Sequence, residues 1–90
     1  MNVRAHIIVK GRVQGVGFRF YTLYKARSLG LVGTVRNLVN GDVKVIVEGE
    51  KSTILALIKE LRIGPMHATV KDVVVNFEEF QNEFASFQII

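Results

Sequence analysis

Three glycines within seven positions, followed by an arginine, make Gly11-Arg12-Val13-Gln14-Gly15-Val16-Gly17-Phe18-Arg19-Phe20 the stretch of this chain best suited to chemistry. Glycine tolerates positive φ, so successive main-chain N–H groups can turn toward one point. Such a nest beside a helix N-terminus attracts an anion. Arg19 adds a permanent charge and a five-donor fork that matches phosphate oxygens. The stretch therefore predicts a seat for a phosphate or a carboxylate. Two common nucleotide loops do not fit it. A Walker A loop ends in Gly-Lys-Ser/Thr, whereas Gly17 is followed by Phe18 and Arg19; a dinucleotide loop needs a small residue where Phe20 stands. No acidic pair is placed for magnesium, and His6 and His67 without any cysteine argue against zinc. Chemistry without a metal or another cofactor is the simpler expectation.

The elements that must position this loop can be read from periodicity. Val3 to Lys10 alternate, with Val3, Ala5, Ile7 and Val9 on a core face and Arg4, His6, Ile8 and Lys10 on the other, which predicts a half-buried strand. Phe18 to Ser28 carry Phe20, Leu23, Tyr24 and Arg27 at helical spacing, with Phe20, Leu23 and Tyr24 expected in the core and Gly30 placed to end the helix. Val32 to Leu38 and Val43 to Glu48 read as antiparallel strands joined at Asn40-Gly41 by a type I′ turn. Ser52 is the expected N-cap of a second helix burying Ile54, Leu57, Ile58 and Leu61, stopped by Gly64-Pro65. Thr69 to Glu78 and Phe84 to Ile90 complete the strands. The order βαββαβ, with a final short strand, predicts an α+β ferredoxin-like sandwich: an antiparallel sheet with two helices on one face.

Bulk properties narrow the function classes. Ninety residues suit a single domain spanning 1–90, and a 49% hydrophobic composition with 22% charged residues is that of a folded chain. The Met1-Asn2-Val3-Arg4 start has no apolar signal run, and no stretch approaches the length of a membrane span. A soluble, cytoplasmic, monomeric protein with no membrane partner is expected. The net charge of +4 favours anionic ligands and fits nucleic acid as well. An RNA-recognition module of the same element order stacks bases on aromatic residues of its central strands, and Val3 to Lys10 and Val43 to Glu48 contain none. No nucleic-acid partner is therefore expected. A catalytically silent anion-binding module is the other rival reading.

The run from Gly11 to Arg19 resembles the signature loop of the acylphosphatase family, whose fold is the ferredoxin-like one read above. A second family signature (glycine, an aromatic, valine, a variable residue and asparagine, then glycine) is matched by Gly33-Thr34-Val35-Arg36-Asn37 with Gly41 beyond it, except that Thr34 replaces the usual aromatic. The resemblance implies hydrolysis of the carboxyl-phosphate bond of small acyl phosphates to a carboxylate and inorganic phosphate, the latter also an inhibitor. It implies that Arg19 and the N–H groups of Gln14, Gly15, Val16, Gly17 and Phe18 hold the phosphoryl oxygens, that Asn37 orients the attacking water, and that the water's proton passes to a phosphate oxygen. Thr34 leaves this machinery in place and makes substrate preference and local packing the open questions.

Overall fold

The computed structural model describes residues 1–90, in the order β1 (Asn2–Arg12), α1 (Phe18–Ser28), β2 (Val32–Asn37), β3 (Val43–Glu50), α2 (Lys51–Ile63), β4 (Thr69–Glu79) and β5 (Phe87–Ile89). The strands form one sheet ordered β4-β1-β3-β2-β5. β1 pairs antiparallel with both β3 and β4, and β3 pairs antiparallel with β2. The last strand departs from an all-antiparallel sheet, because β5 joins the edge parallel to β2. α1 packs over β2 and β5, and α2 over β4 and β3. No helix is long and apolar enough to cross a membrane.

Alternation decides what lies beneath the helices. Ala5, Ile7 and Val9 of β1, Val43, Val45 and Val47 of β3, and Val35 of β2 are fully buried, and all four apolar residues of the expected α2 stripe, Ile54, Leu57, Ile58 and Leu61, close over them. α2 begins two residues earlier than its composition suggests: Glu50, and not Ser52, is the N-cap, with no side-chain capping bond.

α1 corrects the expected stripe. Phe20 and Tyr24 are exposed, and the buried positions are Phe18, Thr22 and Ala26, with Leu23 half-buried. Thr22 and Ala26 are small, which lets the helix backbone sit close to the sheet, and the Thr22 hydroxyl is satisfied by the Phe18 carbonyl at 2.9 Å. The helix ends where Gly30 was expected to stop it: Leu31 N donates to Ala26 O at 2.9 Å and Gly30 N to Arg27 O at 3.0 Å, the two bonds of a Schellman motif.

Three further boundaries differ from the periodicity. β1 runs on through Gly11 and Arg12, which pair with Val70 and Thr69 after a bulge at Lys10/Gly11. The β2–β3 connection is not a type I′ turn, because Gly41 has positive φ (98°) and Asn40 does not. Gly41 N donates to Leu38 O at 3.2 Å and Leu38 N to Asp42 O at 2.8 Å, a three-residue hairpin loop closed by a left-handed glycine. β5 starts at Phe87, because residues 80–86 are occupied in crossing from the β4 edge of the sheet to the β2 edge.

That crossing covers one end of the face opposite the helices. Glu48 of β3 stands beside Arg4 of β1 in the register, on the face read as polar, yet it is fully buried and Arg4 is nearly so. Gln81 N and Glu83 N donate to the two Glu48 carboxylate oxygens at 2.7 and 2.9 Å. Arg4 donates to Glu83 at 2.6 Å and forms an ion pair with Glu78 at 3.0 Å, and its guanidinium lies 5.1 Å from the Phe84 ring centroid. Burial by itself would raise the Glu48 pKa, but the two N–H donors and the Arg4 charge outweigh it and hold the carboxyl below its ordinary value.

Candidate active site

The two sequence motifs meet at one end of the sheet because of strand direction. β1 and β2 each run antiparallel to β3, hence parallel to one another, and their C-terminal ends share an edge. Val9, Val43 and Asn37 lie in one row across the three strands, about 10 Å from first to last at the usual strand spacing. Asn37 shares the helix-side face of β2 with buried Val35 and lies at the end of the sheet where β1 also ends. Opposite Lys10 and Gly11 the extra residue of the bulge is Lys71 of β4, and the loop that follows β1 is tied to the hairpin just beyond Asn37 through the Gln14 side chain.

The loop is built as a donor surface. Gly15 and Gly17 have φ of 72° and 77°, and a Cβ at either position would meet no atom within 4 Å, so backbone conformation and not crowding calls for glycine there. The main-chain N–H groups of Gln14, Gly15, Val16 and Gly17 donate to no carbonyl or side chain of the protein, while Gly17 O accepts from Tyr21 N at 3.0 Å and starts the helix. Gly17 is the N-cap of α1, no side chain caps that end, and no acidic residue lies in the first turn. Unpaired amides, the helix dipole and the absence of a local acid all favour negative charge at this point.

The side chains around the loop divide into supports and free groups. Phe18 is buried in the core and Val16 packs against it, so they fix the loop from below. Arg19, one residue into the helix, is exposed and takes part in none of the ion pairs. Asn37 is half-buried, and its Oδ1 is a buried acceptor with no protein donor. Gln14, half-buried, reaches the hairpin beyond Asn37: its Nε2 donates to Leu38 O at 2.7 Å and to Asp42 O at 2.9 Å. The same hairpin is tied to β1 by Lys10 and Asp42 at 2.9 Å.

Thr34 lies on the face of β2 opposite Asn37, level with Ile46 and Gln88, so the departure from the second signature falls on the helix-free side. His6 lies on that side too, 3.0 Å from Glu78, and His67 is exposed in the connection after α2. No group of three His, Cys, Asp or Glu side chains converges as metal ligands would. The arrangement can seat a tetrahedral anion on main-chain amides and a guanidinium, with a neutral carboxamide alongside. Two residues whose importance the periodicity did not reveal are Gln14, through its side chain, and Glu48. The first needed the hairpin geometry, and the second needed the path of residues 80–86.

Comparison with known proteins gives one consistent relationship. A family model described as Acylphosphatase matches residues 5–89. An acylphosphatase of Moorella thermoacetica is 48% identical over 90% of this chain and 87% of its own. One of Pyrobaculum calidifontis is 44% identical over 98% of this chain and 81% of its own. The crystal structure of acylphosphatase from Bacillus subtilis superposes with a TM-score of 0.95 at 31% identity, covering 98% of each chain.

Proposed function

The chain belongs to the acylphosphatase family, and from that premise we propose that it hydrolyses small acyl phosphates to a carboxylate and inorganic phosphate without a metal or cofactor, as a cytoplasmic monomer folded as one domain over residues 1–90. The phosphoryl group sits on the N–H groups of Gln14 to Phe18, with Arg19 across its oxygens. Asn37 holds a water in line with phosphorus. The observation that carries this reading is that Asn37, with its unpaired Oδ1, stands one residue short of the hairpin contact of a loop whose successive amides are also unpaired.

The chemistry asks little else of the protein. Phosphoryl transfer passes through a loose transition state, so positioning and charge stabilisation supply most of the catalysis. Water adds to phosphorus as the bond to the acyl oxygen breaks. The carboxylate leaves with the bonding electron pair, and the water's proton goes to a phosphoryl oxygen. A carboxylate is a good leaving group and needs no general acid. Arg19 compensates the charge on the equatorial oxygens, and the Asn37 carboxamide, with both an acceptor and a donor, can orient a water without taking its proton. Nucleic acid is not part of the proposal, since the helix-free face of β1 and β3 offers His6, Ile8, Lys44 and Ile46, with Arg4 and Glu48 buried at one end, and no aromatic platform.

The test is phosphate release from benzoyl phosphate in the presence of a chelator, comparing the wild-type chain with Arg19→Ala and Asn37→Ala. Each variant should lose about a thousandfold or more in kcat/KM while remaining folded, in line with removal of a preorganised transition-state contact. Inorganic phosphate should inhibit competitively. Full activity in Arg19→Ala would sink the assignment, and a magnesium requirement would sink the mechanism.

A further inference from the structure

One side-chain amide joins the two halves of the site. Gln14 Nε2 donates to Leu38 O at 2.7 Å and to Asp42 O at 2.9 Å, the two carbonyls that close the base of the β2–β3 hairpin. A primary amide has two N–H donors, and both are engaged here. The Gln14 side chain thus has no donor left for a phosphoryl oxygen, although its main-chain N–H remains free. Leu38 is the residue after Asn37, so the contact falls one peptide from the group that must hold the water.

Asn37 needs such a contact because the strand supports it from one side only. It pairs with Val43 of β3, but the β5 ladder on its other side ends at Val35↔Ile89, short of it. The second tie to the hairpin, Lys10 to Asp42, is an ion pair with an exposed lysine and contributes little in water. A water poised for in-line attack is sensitive to displacements well below 1 Å. We infer that Gln14 is a positioning residue whose amide locks hairpin residues 38–42 against the phosphate loop and so sets the Asn37 carboxamide relative to the phosphoryl group. This rests on the function proposed above.

The experiment uses the full chain and benzoyl phosphate, with kcat normalised to the folded fraction from urea unfolding. Gln14→Ala should lower kcat at least about tenfold while the inhibition constant of inorganic phosphate stays within about threefold, because the loop keeps its amides and Arg19. In the Asn37→Ala background the same substitution should cost nothing further, since there is no carboxamide left to position. Gln14→Glu supplies a readout independent of side-chain loss. Ionised, it sets an anion against two carbonyl oxygens; protonated, it regains one donor, so its kcat deficit relative to wild type should narrow as pH falls from about 7 to about 4.5. The inference is overturned if kcat of folded Gln14→Ala lies within about threefold of wild type, if the loss appears in phosphate affinity and not in kcat, or if the Gln14 and Asn37 effects multiply. Should Gln14→Ala fail to fold, a Gln14→Glu deficit that does not narrow at low pH overturns it equally. An inactive wild type, or an active Asn37→Ala, would instead remove the functional reading on which it stands.

Discussion

Arg19 stands one residue past an uncapped helix start and is committed to no partner within the protein. Its planar fork, more than its charge, is the property that a phosphoryl group uses. Arg19→Lys keeps the charge and the length of reach but replaces paired donors with a single point. Its kcat/KM for benzoyl phosphate should fall about a hundredfold, between wild type and Arg19→Ala, in steady-state assays with the folded fraction checked by circular dichroism. Arg19 and Asn37 stand out in the sequence as candidates because each holds a fixed place in a glycine-spaced motif. Gln14 was legible only as a member of the loop, since a sequence shows which residues are near in the chain and not which carbonyl an amide reaches 24 positions away. Glu48 was hidden for the opposite reason: strict alternation placed it on a face that ordinarily meets water, and only a later segment removes it from solvent.

At the scale of elements, periodicity succeeded where one apolar stripe meets one sheet and failed where close packing needs small residues. α2 buries the four residues its spacing predicts. In α1 the large aromatics Phe20 and Tyr24 face out and Thr22 and Ala26 face in, because volume at the contact matters there more than hydrophobicity. The 80–86 crossing is the element that no local pattern announced, and its attachment makes a pH prediction. Glu48 titrates below its ordinary value in the folded state, so its contribution is fully present above the unfolded carboxyl value near pH 4.3 and is lost as pH falls through the lower, folded value. Glu48→Gln removes the charge opposite Arg4 and one of the two carboxylate acceptors, and should cost about 3 kcal/mol at neutral pH, as when one partner of a buried pair is removed. Urea unfolding between pH 3 and 7 should show that difference shrinking as the wild type approaches the acid end. A difference that stays constant across the range would show that the crossing is not held by the ionised carboxylate.

The whole molecule sorts its charge along the strands. At the end where β1 starts lie Glu48, Glu50, Glu78, Glu79 and Glu83, five of the eight acidic residues. At the opposite end, where loop residues 13–17 and the β2–β3 hairpin meet, lie Lys10, Arg12, Arg19, Arg36, Lys44 and Lys71, opposed by Asp42 and Asp72. Arg36 and Lys44 are cross-strand neighbours on the helix-free face, and neither has an ion-pair partner. Like charges set directly opposite one another destabilise a sheet, so their effect on an approaching anion is the property that the arrangement favours. The field of such an end raises the encounter rate of an anionic substrate and decays with the Debye length, from about 30 Å at 0.01 M to about 10 Å at 0.1 M ionic strength. kcat/KM for benzoyl phosphate should therefore fall about fivefold between 0.01 and 0.3 M salt, with kcat changing less than about twofold. Replacing Arg36 and Lys44 together by glutamine should lower kcat/KM at low salt and flatten its salt dependence. Both residues lie on the face of the sheet away from Asn37, so kcat should hold, and an unchanged salt slope in the double variant would assign the attraction to the loop and Arg19 alone.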